Sequence, residues 1–199
     1  MKKALKIIEA VAIWFFIWTI ARFLFYFYNI TRAFPFLKNL VEYKYLFFAG
    51  WLVLAGIIVF IIWSKKNQSF SFFRLKNKIW LVFYLIPLGQ YVYWIFQSET
   101  PFSLAGWYYG LVLILATSGQ DLLTFGFLET YLEKLIKPWP AAFLTILVFF
   151  LGHFYFQWSF LILIFIAGFA GFAVLRKKMG SVYPINIIHL IFSLLPWQF

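Results

Sequence analysis

The sequence predicts an all-α fold, a polytopic membrane helix bundle of about seven transmembrane helices. Three observations predict it. Hydrophobic residues fill 65% of the 199 positions and charged residues 12%, against about half and about a quarter in soluble domains. The apolar residues lie in long unbroken runs, which a water-facing helix or strand cannot carry. Inside a bilayer every backbone group must also find its partner within the protein, so each run reads as a helix. At roughly 20 residues per crossing, residues 1–199 are expected to form a single membrane domain.

Seven spans follow in order: Ile7–Tyr28, Tyr45–Trp63, Ile79–Phe96, Ala105–Leu132, Ala141–Gln157, Ser159–Leu175 and Val182–Trp197. The first follows Met1-Lys2-Lys3; it is too long for a signal h-region and lacks a small-residue cleavage site, so it reads as a retained anchor. Phe34-Pro35-Phe36-Leu37, after it, is expected to lie along the interface. Pro87 in the third span and Gly119 in the fourth are expected kinks. The fourth exceeds a simple crossing and is expected to tilt or project at its C-terminal end. There Glu129, Glu133, Lys134 and Lys137 read as a solvated helix end with i,i+4 pairs. The fifth and sixth spans, joined around Trp158, should form a hairpin. Trp63, Tyr108, Trp139 and Trp158 read as interfacial anchors, and Arg22 as snorkelling or paired within the bundle.

The net charge of +11 does not point to nucleic acid, because the basic residues sit in short segments between the runs, where they meet anionic lipid. With the N-terminus inside, the cytoplasmic segments hold Lys2, Lys3 and Lys6; Lys65, Lys66, Arg74, Lys76 and Lys78; Lys134 and Lys137; and Arg176, Lys177 and Lys178, which is 13 of the 17 basic residues. Arg32, Lys38 and Lys44 fall in the first external loop and Arg22 inside the first span. The bias predicts a cytoplasmic N-terminus. Lys in preference to Arg, with abundant Phe and Ile, is the composition of an AT-rich bacterial genome, so the plasma membrane of a bacterium is the expected location. The absence of cysteine excludes disulfides, thiolate metal sites and cysteine nucleophiles.

Polar residues inside spans carry the functional information, since lipid makes them costly. In the fourth span Thr117, Asp121 and Thr124 fall at i, i+4 and i+7 on one helical face, with Ser118 and Gln120 alongside. The fifth carries His153 and Gln157 one turn apart, and the seventh Asn186, His189 and Ser193 at i, i+3 and i+7. The chain has two histidines, both inside spans, and one carboxylate, Asp121, well inside a span. The threonines, Ser118 and Gln157 read as interhelical glue; Asp121, His153 and His189 read as one interior functional site.

With their flanks these residues resemble the CPBP family, the CAAX-protease and bacteriocin-processing intramembrane proteases. Gln120-Asp121-Leu122-Leu123-Thr124-Phe125-Gly126-Phe127-Leu128 overlays the family's E-E-x-x-x-R-G-F-L, and Phe149-Phe150-Leu151-Gly152-His153 its F-x-x-x-H. Gly168 and Gly171, then Arg176-Lys177-Lys178-Met179-Gly180-Ser181-Val182-Tyr183-Pro184, overlay its glycine helix and basic G-S-L-x-P turn. His189-Leu190-Ile191-Phe192-Ser193 takes the place of H-x-x-x-N. The resemblance covers 118–195 and implies a CAAX-protease-like fold with water-mediated peptide hydrolysis in the membrane. It implies Gln120, Asp121, His153, His189 and Ser193 as the catalytic positions, supported by Thr124 and Asn186, with no cofactor and no metal. The implied partners are membrane lipid and a peptide or membrane-protein substrate. Gln120 stands where the base Glu belongs, and an amide cannot accept the proton; Asp121 lies about 100° round the helix from it. Phe125 replaces the Arg and Ser193 the Asn, with Asn186 one turn before His189 as a substitute donor.

Four readings follow. The chain is an endopeptidase with Asp121 as displaced base, His153 sharing the water, and His189 with Ser193 or Asn186 as oxyanion donors. Alternatively it is an inactive relative that binds a membrane partner or serves bacteriocin self-immunity. A small transporter is a third reading, disfavoured by the lack of internal repeats. A metal bound by His153, His189 and Asp121 matches a 2-His-1-carboxylate set in type and ranks below the metal-free mechanism.

Overall fold

A computed structural model describes residues 2–33, 44–66, 68–97, 104–152, 168, 171–172 and 174–194. Every regular element among them is helical: α1 (Lys2–Ala33), α2 (Lys44–Lys65), two 3₁₀ stretches (Ser71–Phe73 and Lys78–Tyr84), α3 (Leu85–Gln97) and α4 (Leu104–Asp121). A π-helical segment (Leu122–Leu128) carries α4 into α5 (Glu129–Leu135), and α6 (Pro138–Leu151), α7 (Val174–Met179) and α8 (Tyr183–Ser193) follow. Among the described residues, three stretches are long and apolar enough to cross a membrane: Lys2–Phe23, Leu46–Lys65 and Gly110–Leu135. Two shorter apolar helices, α6 and α8, join them. This is the expected membrane helix bundle. The interface segment at Phe34–Leu37, the hairpin at Trp158 and most of the sixth span lie outside the described residues.

The packing inverts a soluble protein's. Leu5, Ile8, Phe16, Ile57, Ile58 and Ile62 face outward, where lipid is their solvent. The interior between α1, α2 and α4 is built on Trp14, Trp18 and small residues such as Ala21, Ala49, Ala55 and Ala116, the pattern that lets membrane helices approach closely. Gly119 belongs to that seam. A Cβ there would lie 3.2 Å from Leu52 Cβ, so it is a close-packing residue, and α4 continues unbroken past it to Asp121. The change of winding comes later, at Leu122. Pro87 does mark a transition. It sits in the first turn of α3, just past the switch from 3₁₀ to α winding at Leu85, where its missing N–H costs the helix little.

α1 packs on α2, α2 on α4, and α4 on α8, which also contacts α3 and the 3₁₀ stretch before it. The start of α8 is pinned from a distance. Gly180 ends α7 with φ +65°, a left-handed cap that glycine adopts without strain, and its N–H bonds to Arg176 O at 2.9 Å. Ser181 Oγ and Val182 N then both donate to the carbonyl of Phe72, at 3.2 and 3.0 Å. Pro184 follows in the first turn of α8.

Two expectations about charged and aromatic side chains are corrected. Glu129 is 1% exposed and not part of a solvated helix end: Lys177 of α7 lies 3.2 Å from its Oε1 and also pairs with Glu133. Beside it, Arg176 is buried and donates through Nε to Phe125 O at 3.2 Å and through Nη2 to Thr130 Oγ1 at 3.0 Å. Trp63 is likewise buried, its Nε1 bonded to Ser69 O at 2.9 Å, whereas Trp139 is exposed. Lys134 lies over the Trp63 ring, 4.5 Å from its centroid. Arg22 is paired inside the bundle, its guanidinium 5.3 Å from the Trp18 ring centroid.

Candidate functional site

Asp121 closes α4 and is fully buried. A charge there is tolerable only with partners on both oxygens, and it has them. Its Oδ1 lies 2.7 Å from His189 Nδ1 and its Oδ2 accepts from Asn186 Nδ2 at 2.9 Å. Both partners come from α8, three residues apart and therefore on one helical face. Asn186 Nδ2 also donates to Ser118 Oγ at 3.3 Å. One turn further along α8, Ser193 Oγ accepts from Thr117 Oγ1 at 3.3 Å. Asn186 and His189 meet residue 121 while Ser193 meets 117, which is the register of two antiparallel helices.

The imidazole of His189 is walled by aromatic rings. Phe149 stands edge-on with centroids 5.8 Å apart, and Phe172 lies at 6.3 Å. Phe125 packs against both Phe149 and Phe172. The site is thus polar at its centre and apolar at its wall, a low-dielectric surround that strengthens the hydrogen bonds within it.

Of the residues singled out from sequence, Asp121, His189 and Asn186 come together in direct contact. Gln120 does not join them. It faces the seam between α1 and α2, beside Trp14, Trp18 and Leu52. Thr124 lies on that same side and accepts from Trp14 Nε1 at 2.9 Å. Ser193 sits one turn away, bonded to Thr117. His153 and Gln157 lie outside the described residues. Among the described residues, no three of His, Asp and Glu converge as a metal-binding group, and His153, the remaining member of the 2-His-1-carboxylate set, is not among them.

One member of the constellation had no sequence signal. Tyr84, the last residue of the 3₁₀ stretch, donates its hydroxyl to Asn186 Oδ1 at 2.8 Å. A tyrosine among apolar residues reads as an interfacial anchor, and nothing in the spacing separates this one from its neighbours.

Residues 101–195 match the family described as Rce1-like, type II CAAX prenyl endopeptidase Rce1-like. The match takes in Asp121, Asn186, His189 and Ser193 and begins after Tyr84. Neither the curated proteins nor the solved structures give a match.

Proposed function

We propose, from the premise that residues 101–195 are an Rce1-like region of the CPBP family, that this chain is an intramembrane endopeptidase in which Asp121 and His189 form the working pair. The carrying observation is the 2.7 Å approach of His189 Nδ1 to Asp121 Oδ1. With both oxygens of Asp121 engaged, the carboxylate is better suited to orient than to abstract a proton. An ionised Asp121 accepts from Nδ1–H, which fixes the imidazole tautomer and leaves the Nε2 lone pair as the base. A water deprotonated by Nε2 attacks the scissile carbonyl carbon. The proton then passes from Nε2 to the amide nitrogen as the C–N bond breaks.

In this reading Asn186 supports the carboxylate, and His153 and Ser193 are the remaining polar groups for the water and the oxyanion. Gln120, an amide at the first acidic position of the resembled motif, takes no proton. The substrate is a membrane-embedded or membrane-delivered peptide, of the bacteriocin type or from another membrane protein. The whole of 1–199 serves as one membrane domain. The distribution of lysine and arginine supports a bacterial plasma membrane protein with a cytoplasmic N-terminus.

The test is peptide-library cleavage by the purified protein in lipid nanodiscs. Wild type cleaves, and Asp121→Ala and His189→Ala do not. Equal inertness of wild type and both variants overturns the enzymatic reading and leaves a second one, favoured by the glutamine at position 120: an inactive relative that binds a membrane partner or serves in bacteriocin self-immunity.

A further inference from the structure

We infer that Tyr84 is a positioning residue of the Asp121–His189 site, its hydroxyl anchoring the amide of Asn186 while Nδ2 faces the carboxylate. The catalytic meaning of this rests on the endopeptidase reading; the geometry does not. A side-chain amide has one acceptor end and one donor end of nearly equal shape, and half a turn about the last torsion exchanges them. An ionised carboxylate accepts only, so Asn186 can serve Asp121 in one of its two orientations. The acceptor-only carboxylate sets that orientation, and the 2.8 Å bond from Tyr84 to Asn186 Oδ1 anchors it by filling the acceptor end of the amide, with Nδ2 held on the opposite side. There Nδ2 meets Asp121 Oδ2 at 2.9 Å and Ser118 Oγ at 3.3 Å. Donation therefore runs one way, from Tyr84 to Asn186 to Asp121, and leaves Asp121 Oδ1 for His189.

The backbone explains how Tyr84 reaches that position. Asn77 caps the stretch, its Oδ1 accepting from Ile79 N at 3.0 Å, and Lys78–Tyr84 then winds as 3₁₀ helix. Six steps at three residues per turn carry Tyr84 about 120° further round than an α-helix would. α winding resumes at Leu85. Position 84 precedes the matched stretch, 101–195, so the site is a composite to which the N-terminal half contributes a side chain.

Asp121 is the one aspartate of the chain, which gives a readout independent of catalysis. Protein made by cell-free synthesis with [4-¹³C]aspartate shows a single carboxyl resonance, that of Asp121. Tyr84→Phe is expected to move it, as is Asn186→Ala, and Tyr84→Phe added to Asn186→Ala to move it no further. Tyr93→Phe, removing an exposed hydroxyl on α3, leaves it in place. Tyr84→Leu, which also lacks the hydroxyl, serves where Tyr84→Phe fails to fold. If the enzyme reading holds, Tyr84→Phe also lowers kcat roughly tenfold, the worth of one hydrogen bond, at unchanged KM. A resonance unmoved by Tyr84→Phe overturns the proposal, as does an equal displacement with and without Asn186. Movement of the resonance in a protein that cleaves nothing supports the orienting role and sinks only the endopeptidase reading.

Discussion

Arg176 of α7 donates to the carbonyl of Phe125 at 3.2 Å, so a guanidinium reaches the turn where the resembled motif carries its own arginine, arriving from a different helix. Its second bond, to Thr130 at 3.0 Å, spans the wide turns of the π segment and ties them to α7. Arg176→Met is expected to destabilise the protein by about 1.5–3 kcal/mol, the range for hydrogen bonds to a charged group. Arg176→Lys recovers only part of this, since an ammonium lacks the planar fork that serves two acceptors at once. Unfolding in detergent, followed by tryptophan fluorescence, checks both.

Lys177 serves two carboxylates, Glu129 and Glu133, and Glu129 is fully enclosed. Lys177→Met removes the ammonium the two acids share, leaves Arg176 as the remaining cation acting on Glu129, and is expected to cost about 1–3 kcal/mol, the range for stranding a buried polar group. Glu129→Gln in the same chain restores part of that stability. The cycle of the two single variants and the double variant reads the coupling, about 0.5–3 kcal/mol for residues in contact. An additive cycle would show that the two side chains do not interact.

Asp121→Asn keeps the size of the side chain and removes its charge. An asparagine can donate to His189 Nδ1, which favours the tautomer with its lone pair on the wrong nitrogen. Cleavage is therefore expected to fall by about 10⁴-fold, the scale seen when a carboxylate orienting a catalytic histidine becomes an amide, with little change in melting temperature. A variant that retains activity would exclude His189 Nε2 as the base.

At Gly119 the constraint is steric. A methyl group there meets Leu52 at 3.2 Å, and both helices are fixed by further contacts. Gly119→Ala is expected to cost about 1–3 kcal/mol through overpacking, and Gly119→Val more. Leu52→Ala does not relieve the contact, because alanine keeps the Cβ that the new methyl group meets; detergent-induced unfolding of Gly119→Ala and Gly119→Val beside wild type measures the loss.

The bundle was legible because lipid imposes long apolar runs, and half of the site was legible because α8 is a regular helix. Asn186 and His189, three residues apart, share a face as their spacing dictates and meet Asp121 together. The same rule misplaced Thr124. α periodicity puts it near the face of Asp121, but the turns widen from Leu122, and a wider turn advances each residue by a smaller angle. Thr124 is thereby carried round toward Gln120 and bonds Trp14. Tyr84 was missed for a related reason, since 3₁₀ winding up to Leu85 departs from the period that a sequence pattern assumes. Glu129 was read as solvated because its partner, Lys177, lies 48 positions away, and no i,i+4 rule reports such a neighbour.

The carbonyl of Phe72 receives both the Ser181 hydroxyl and the Val182 amide at the threshold of α8. Residues 101–195 on their own lack that acceptor, so both donors lose their partner. A graft of 101–195 onto another N-terminal half is expected to keep the start of α8 only where the new half offers an acceptor at the same spot.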